Sequence, residues 1–170
     1  MTLQWVPATE RIDLLADPVA QAVPELEGVE VTEIDPGLAD TAEFCERYGV
    51  TLDESANCVV VAAKRGGETR YAACMVLATM RVDVNGVVRR HLEARKASFA
   101  PMADAVELTG MEYGGITPLG LPADWPILVD THVAEHPRVV IGSGVRRSKL
   151  AVSGAALAGL KGAEVLPLAG

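Results

Sequence analysis

Short segments with alternating apolar and polar positions predict the strands of this chain. Residues 29–34 (Val-Glu-Val-Thr-Glu-Ile) alternate as a half-buried strand does. Two apolar runs, 58–63 and 71–77, flank the turn Arg65-Gly66-Gly67-Glu68. That arrangement is typical of an antiparallel hairpin in a core. Shorter apolar runs predict further strands at 97–100, 127–129, 138–141 and 163–166.

Helical spacing of apolar residues predicts helices over 9–16, 39–48, 83–93, 102–108 and 154–160. Thr9 and Ser153 are expected to cap the first and the last of them, and Gly49 and Gly110 to end the second and the fourth. The order of elements is not a regular βαβ repeat. We therefore predict a mixed α/β fold, a single domain over 1–170 with a mostly antiparallel central sheet and surrounding helices.

Composition narrows the class of protein. The chain has 170 residues, 49% of them hydrophobic, and no apolar stretch long enough for a membrane span. Its acidic N-terminus does not resemble a signal peptide. Three cysteines without a CxxC pair predict reduced thiols and a cytoplasmic protein. Neither a P-loop nor a dinucleotide fingerprint occurs, so we expect no cofactor.

The net charge of −8 is unevenly distributed. Residues 1–60 carry a net charge of −11, whereas residues 61–170 carry +3. We expect 1–38 to be an acidic N-terminal extension packed on the domain. The basic remainder contains three clusters that could bind the phosphates of a nucleic acid if they converged. Their members are Arg89, Arg90, Arg95, Lys96, Arg138, Arg146, Arg147 and Lys149. Tyr113 and Trp125 are the aromatic residues available for base stacking nearby.

A long segment rich in Gly and Pro, 110–126, has no periodicity. Segments of this length within a domain often carry function. Gly114 and Gly115 permit a positive φ or close approach of the backbone to a ligand, and Pro118 fixes the chain after Thr117. Two interpretations remain open at this point: a rigid loop whose backbone binds a substrate, or a tight crossover within the core.

Three motifs, in order, resemble the YbaK/EbsC superfamily, the aminoacyl-tRNA editing domain also inserted in bacterial prolyl-tRNA synthetases. They are Leu108–Gly120 (LTGMEYGGITPLG), Val129-Asp130 and Gly142–Arg147 (GSGVRR), and the likeness extends from Ala39 to Leu168. The resemblance implies hydrolysis of the ester between a wrong, small amino acid and the 3′-terminal adenosine of a tRNA. The resemblance implies a freestanding enzyme, with tRNA-Pro as one candidate tRNA and an aminoacyl-tRNA synthetase as a candidate partner. Because residues 61–170 carry a net charge of only +3, we expect the tRNA to be bound weakly and transiently.

The same resemblance implies the site. Family members bind the aminoacyl group through backbone atoms of a GxxxP loop, here Gly114 to Pro118. The catalytic candidates are therefore Gly114, Gly115, Asp130, Asn57 and Lys96. The candidates for substrate binding are Thr109, Gly110, Ile116, Thr117, Pro118, His132, Gly142, Ser143, Gly144 and Arg146.

One position departs from the family pattern. Many members carry a lysine where this sequence has Asn57, and an amide offers only neutral hydrogen bonds. Either another cation replaces it, for which Lys96 is the candidate, or catalysis has been lost. The second reading makes the chain a non-catalytic binder of aminoacyl-tRNA or of a small aminoacyl ligand. A hydrolase of small esters that uses no tRNA is a third hypothesis.

Three further residues have alternative interpretations. Asp130 either orients the loop or a water, or caps a turn at Thr131-His132. His132 is a candidate proton carrier or a contact for the substrate amine. Ser143 lies between two glycines but not in a GxSxG motif, so we interpret it as part of a turn near the site. His132 and His136 fit an HxxEH zinc pattern, but Pro137 follows at once and we expect no metal.

Overall fold

Two β-sheets form the scaffold of the protein. The computed structural model describes residues 3–169, and within them one sheet has the strand order β1-β2-β8-β7 and the other β5-β3-β4-β6-β9. In chain order the strands are β1 (Val6–Pro7), β2 (Glu30–Glu33), β3 (Ala56–Arg65), β4 (Glu68–Leu77), β5 (Lys96–Phe99), β6 (Ile127–Asp130), β7 (Val139–Gly142), β8 (Ser148–Val152) and β9 (Ala163–Leu166).

Short helices connect these strands. They are α1 (Asp17–Ala22), α2 (Thr41–Tyr48), α3 (Arg89–His91), α4 (Met102–Thr109), α5 (Thr131–Ala134) and α6 (Gly154–Ala158). As predicted, Gly49 and Gly110 end α2 and α4 in left-handed conformations, and Ser153 caps α6 through a bond from the Ala156 amide. The helices within residues 3–169 are too short to cross a membrane.

The predicted hairpin is confirmed and forms the centre of the five-stranded sheet. β3 and β4 pair antiparallel from Ala56↔Leu77 to Arg65↔Glu68, around a turn in which Gly66 and Gly67 have positive φ. β5 joins β3 antiparallel, whereas β6 and β9 continue the sheet in parallel from β4. The predicted mixed α/β class is confirmed, and the main core lies between the two sheets.

The acidic N-terminal segment is built into the four-stranded sheet. β2 pairs antiparallel with β8, and Ala8, Val19 and Val31 of this segment are fully buried in the main core. The predicted helix over 9–16 is wrong. Two 3₁₀ turns replace it, because Arg11 between them has φ −136° and ψ 54° and breaks any continuous helix. Thr9 therefore lies within a turn rather than at a cap. Residues 1, 2 and 170 of the predicted domain lie outside the described part of the chain.

The predicted helix over 83–93 is only partly helical. The Asp83 carboxylate accepts a hydrogen bond from the Gly86 amide at 3.0 Å, and a π-helical turn, Val84–Val88, leads into α3. A Cβ at Gly86 would collide with that carboxylate, so the glycine that weakens a helix prediction is what permits this turn.

Candidate active site

A cavity of about 330 Å³ lies between α2, the beginning of β3, the four-stranded sheet and the Gly114 loop. Its walls combine apolar side chains with polar groups and with loop backbone. The lining residues that matter below are Asp40, Thr41, Phe44, Asn57, Cys58, Tyr113, Gly114, Ile116, Gly142 and Lys149. Cavities near this volume accommodate small ligands.

The Gly114 loop is held rigidly against the Gly142–Arg147 turn. The Glu112 amide donates to the Gly144 carbonyl at 2.8 Å, and the Gly144 amide donates to the Gly115 carbonyl at 2.6 Å. The Glu112 carboxylate accepts from the Arg146 amide at 2.7 Å. The first and third of the family motifs are therefore one hydrogen-bonded unit, which the sequence order alone could not reveal.

Two backbone amides of this loop have no hydrogen-bond acceptor among the described residues. Gly114 and Ile116 line the cavity, and neither amide has a hydrogen-bond acceptor within residues 3–169. Gly115, in contrast, donates to the Glu112 carbonyl at 2.9 Å, and a Cβ there would approach the Val145 backbone to 2.8 Å. Backbone amides that lack an internal acceptor at a cavity wall are the kind of group that stabilises an oxyanion.

Arg146 fastens the loop to the beginning of α2. Its Nη1 donates to Oδ1 of Asp40 at 3.1 Å and to the Tyr113 carbonyl at 3.3 Å, and its Nε donates to the Pro36 carbonyl at 3.3 Å. Gly114 has φ +87°, and a Cβ at this position would collide with Nη1 of Arg146. Glycine is therefore required here for both conformation and space.

Lys149 is the buried cation of the cavity. It lies on β8, only 7% exposed, with Nζ 5.4 Å from the centre of the Phe44 ring. Within residues 3–169 it forms no ion pair, since Asp40 is paired with Arg146. Burial, with a smaller contribution from Arg146, lowers the pKa of Lys149 to about 8.

Asn57 also lines the cavity, at the beginning of β3. Its Oδ1 accepts a hydrogen bond from Oγ1 of Thr41 at 2.8 Å, so the amide is oriented by α2. The adjacent Cys58 is not a plausible nucleophile, because burial raises the pKa of its thiol far above the ordinary value. All three cysteines are free thiols.

The other loop and turn residues divide into two groups. Ile116 and Gly142 line the cavity. Thr109 and Gly110 instead complete the end of α4, where Oγ1 of Thr109 donates to the Ala105 carbonyl at 2.6 Å. Gly144 packs against Ala16 and Val19 of the N-terminal segment.

The final residues of the loop turn into the interior. Thr117 and Pro118 are buried, and neither lines the cavity. The Thr117 hydroxyl has no hydrogen-bond partner among the described residues.

The carboxylate of Asp130 is held by backbone amides. Its Oδ1 accepts from the amides of Leu168 (2.8 Å) and Ala169 (3.2 Å), and its Oδ2 accepts from the His132 amide at 3.0 Å and lies 3.0 Å from His132 Nδ1. Burial alone would raise the pKa of Asp130, but these hydrogen bonds outweigh it and the pKa is lowered. Of the two readings offered by the sequence, the geometry matches the cap, and neither Asp130 nor His132 lines the cavity.

Ser143 is buried within its turn. Its Oγ lies within hydrogen-bond distance of the carbonyls of Val145 and Ser148, both at 3.1 Å, and Ser148 Oγ lies 2.7 Å away. This matches the interpretation as a turn residue rather than as a nucleophile. The two histidines of the HxxEH pattern do not share one helix, because α5 ends at Ala134, before His136.

The structure does not bring Lys96 to the loop. Lys96 is exposed on β5, opposite Lys64 of β3. Lys64 and Asn57 are seven residues apart on β3, so these two positions are separated by roughly 23 Å. The basic clusters do not converge either. Arg138 pairs with Glu30, Arg89 donates to the Asn85 carbonyl and Arg147 to the Asp13 carbonyl. Lys149 alone among them lines the cavity, and Arg146 contacts two lining residues, Asp40 and Tyr113.

Trp125 is unavailable for base stacking. It is buried and stacks on Tyr71, with ring centroids 5.5 Å apart. Tyr113, by contrast, is 58% exposed and lines both the cavity and an adjoining apolar groove that includes the exposed side chains of Phe99 and Met102. The cavity therefore opens beside one exposed aromatic ring.

Several cavity residues were not site candidates from the sequence, among them Lys149, Asp40 and Thr41. In the sequence, Lys149 stands out only as a member of a basic cluster. A signal was present, because Lys149 directly precedes the apolar run Leu150–Val152, but a lysine beside such a run argues against predicting a buried position.

Comparison with known proteins agrees with this architecture. The fold is similar to that of a proposed trans-editing enzyme for prolyl tRNA synthetase, with a TM-score of 0.77 at 22% identity over 91% of this chain and 96% of that one. It is also similar to the hypothetical protein APE2540, with a TM-score of 0.73 at 22% identity over 82% and 90% of the two chains. The sequence model described as the aminoacyl-tRNA editing domain matches residues 35–160. The resemblance seen in the motifs is thereby confirmed, and the chain belongs to the family of YbaK-type aminoacyl-tRNA editing domains.

Proposed function

We propose that this protein hydrolyses the ester bond of a mischarged aminoacyl-tRNA that carries a small amino acid. The observation that carries the proposal is the cavity of about 330 Å³ bordered by the two available amides of Gly114 and Ile116. Membership of the editing-domain family supports the same reaction class.

The nucleophile in the proposed reaction is a water molecule. A water attacks the ester carbonyl carbon, and the carbonyl electron pair moves onto oxygen. The loop amides would stabilise that oxyanion, because they are fixed in position before the reaction begins. Collapse of the intermediate expels the ribose oxygen, which is protonated, while the proton of the attacking water passes to solvent. The products are the free amino acid and a tRNA with a restored terminal hydroxyl.

Cavity size favours a small acyl group. Phe44, Ile116 and Gly142 form part of the wall, and Gly142 packs tightly against the Gly115–Ile116 backbone. Enlarging the cavity there would require movement of a hydrogen-bonded loop. Discrimination would thus be by exclusion of larger side chains, and a site of this kind tolerates small ones of similar shape.

The tRNA itself would be bound weakly. The two basic groups at the cavity are Arg146, which is partly exposed and paired with Asp40, and the buried Lys149. Tyr113 at the rim offers an aromatic face for a terminal base. Few phosphate contacts imply a shallow dependence of binding on salt concentration.

The decisive experiment is a deacylation panel. The protein is incubated with tRNAs charged with alanine, serine, cysteine, valine and the matching amino acid, and the remaining ester is measured over time. We expect hydrolysis of one or more small aminoacyl esters and none of valyl esters. A binding assay on the same tRNAs at two salt concentrations accompanies it.

The same panel tests the other hypotheses. A protein that shifts the tRNA but leaves every ester intact would be the non-catalytic binder. A protein that hydrolyses aminoacyl esters of a simple alcohol as fast as those of tRNA would be the small-ester hydrolase. Either result contradicts the proposal.

A further inference from the structure

Lys149 is a buried ammonium group that forms no ion pair with any residue between 3 and 169. Three features make this unusual: 7% exposure, a position at the wall of the cavity, and the pairing of the nearest carboxylate, Asp40, with Arg146. Burying a charge in this way is unfavourable, so a lysine is expected in such a place only where the charge is used.

The register of the four-stranded sheet brings Lys149 to the loop. Lys149 is the cross-strand partner of Gly142. A Cβ at Gly142 would lie 2.5 Å from the Gly115 carbonyl oxygen and 2.9 Å from that of Ile116, so the loop backbone lies directly on this position. Lys149 and the loop residues Gly114 and Ile116 line the same cavity.

We infer that Lys149 is a catalytic residue, whose ammonium group contacts the ester carbonyl oxygen and stabilises the negative charge that develops there. The inference rests on the proposed function. In the hydrolysis described above, Lys149 keeps its proton throughout; it neither attacks the carbonyl nor accepts the proton of the water. Its contribution is a fixed positive charge in a site of low polarity, where such a charge acts most strongly.

The neighbouring groups are consistent with this role. Asp40, before α2, raises the pKa of Lys149, as does Cys45 on α2, whereas burial and Arg146 lower it, to about 8. Asn57 and Thr41 face the same cavity as neutral groups. Lys149 is consequently mostly protonated at pH 7 and loses its charge in a range that kinetics can reach.

The test compares four variants with the wild type on the best substrate of the panel. We expect Lys149→Met to lower kcat/KM by about 10²-fold or more, as removal of an oxyanion-stabilising group does. Lys149→Arg keeps a charge that does not titrate, so the ratio of wild-type to variant rate should fall above about pH 8. Lys64→Met, an exposed lysine on β3, is the matched control and should be unchanged.

A relocation variant separates a catalytic role from a structural one. Asn57 lines the same cavity, so Asn57→Lys combined with Lys149→Met returns an ammonium group from the opposite wall. We expect this double variant to recover at least tenfold over Lys149→Met alone. Thermal unfolding of each variant shows whether it is folded, and a purely structural lysine would show neither the recovery nor the pH-dependent ratio.

The outcomes are distinct. If the wild type hydrolyses no member of the panel, the proposed function fails and the role of Lys149 fails with it. If the wild type is active and Lys149→Met retains that activity, only the role of Lys149 is overturned.

Discussion

Nη1 of Arg146 lies 3.1 Å from Oδ1 of Asp40, although 106 positions separate the two residues in the chain. This ion pair connects the Gly-rich turn before β8 to the beginning of α2, and the same nitrogen holds the Tyr113 carbonyl. It therefore connects both sides of the cavity mouth, and it occupies Asp40, a carboxylate whose charge also acts on Lys149.

Replacing Arg146 should alter activity more than stability. The ion pair is partly exposed, so Arg146→Met should change the free energy of unfolding by less than about 1 kcal/mol. We expect kcat/KM to fall by roughly tenfold, because the Gly114 loop loses an anchor. The positive charge of Arg146 also lowers the pKa of Lys149, so in the variant that pKa should rise.

Arg147→Met is the control for Arg146, since Arg147 is exposed and donates to the Asp13 carbonyl away from the cavity. Deacylation rates across pH 6 to 10 and urea unfolding check both variants. Equal loss of activity in the two would contradict a specific role of Arg146 at the loop.

Gly114→Ala should lower activity by more than the strain of its backbone conformation explains. An alanine at φ +87° costs about 1 kcal/mol, and here its Cβ also collides with Arg146. We expect at least a tenfold loss of kcat/KM. Gly28→Ala is matched in conformation, with φ +72° and no atom within 4 Å of the added Cβ, and should keep full activity while losing similar stability. Comparable activity of the two variants would argue against the loop as the site.

Asp130→Asn should destabilise the fold in a pH-dependent manner. The carboxylate accepts amide hydrogen bonds from Leu168, Ala169 and His132, and its removal should cost roughly 2 to 3 kcal/mol at pH 7. The pKa of Asp130 is lowered in the folded protein. The stabilisation is therefore present above the unfolded-state pKa, near 3.8, and is lost as the pH falls through the lower folded-state value.

Urea unfolding at several pH values checks the Asp130 prediction. The wild type should lose its advantage over Asp130→Asn as the solution is acidified below about pH 4. A difference that stays constant down to pH 2 would show that the charged form is not what stabilises this corner of the fold.

Lys149→Met should increase stability even as it lowers activity. The pKa of Lys149 falls from 10.5 to about 8 on folding, so the charged side chain opposes folding by on the order of 3 kcal/mol below pH 8. Because the unfolded chain binds the proton more tightly, wild-type stability should rise relative to the variant between about pH 8 and 10.5.

Guanidinium unfolding at pH 7 and pH 10 measures the Lys149 effect. We expect a clear excess of stability for Lys149→Met at pH 7 and little excess at pH 10. A variant that is less stable than the wild type at pH 7 would indicate that Lys149 has a packing role instead.

Local signals explain what could be predicted from the sequence. The hairpin turn at Gly66-Gly67, the left-handed glycines after α2 and α4, and the Ser153 cap are each determined by neighbouring residues. The motifs likewise predicted Gly114, Ile116 and Gly142 as cavity residues.

Long-range strand pairing explains what could not be predicted from the sequence. β8 is a strand because β2 and β7 hydrogen-bond to it from both sides, although β2 is more than 100 residues away in the chain. When β8 is not recognised, Lys149 resembles a surface lysine. Lys96 is then an equally good candidate to replace the family lysine that is Asn57 in this chain. The environment of a charged residue depends on partners that its neighbours in sequence do not reveal.

The pairing of β2 with β8 has a consequence for how this domain could be divided. Thr32 is the cross-strand partner of Lys149, yet it precedes residue 35, where the family match begins. A fragment trimmed to the matched range would turn β8 into an open sheet edge and admit water beside the ammonium group. The limits of the family match are therefore not the limits of the structural unit around the cavity, and any transplant of the cavity into another protein must include the acidic strand β2.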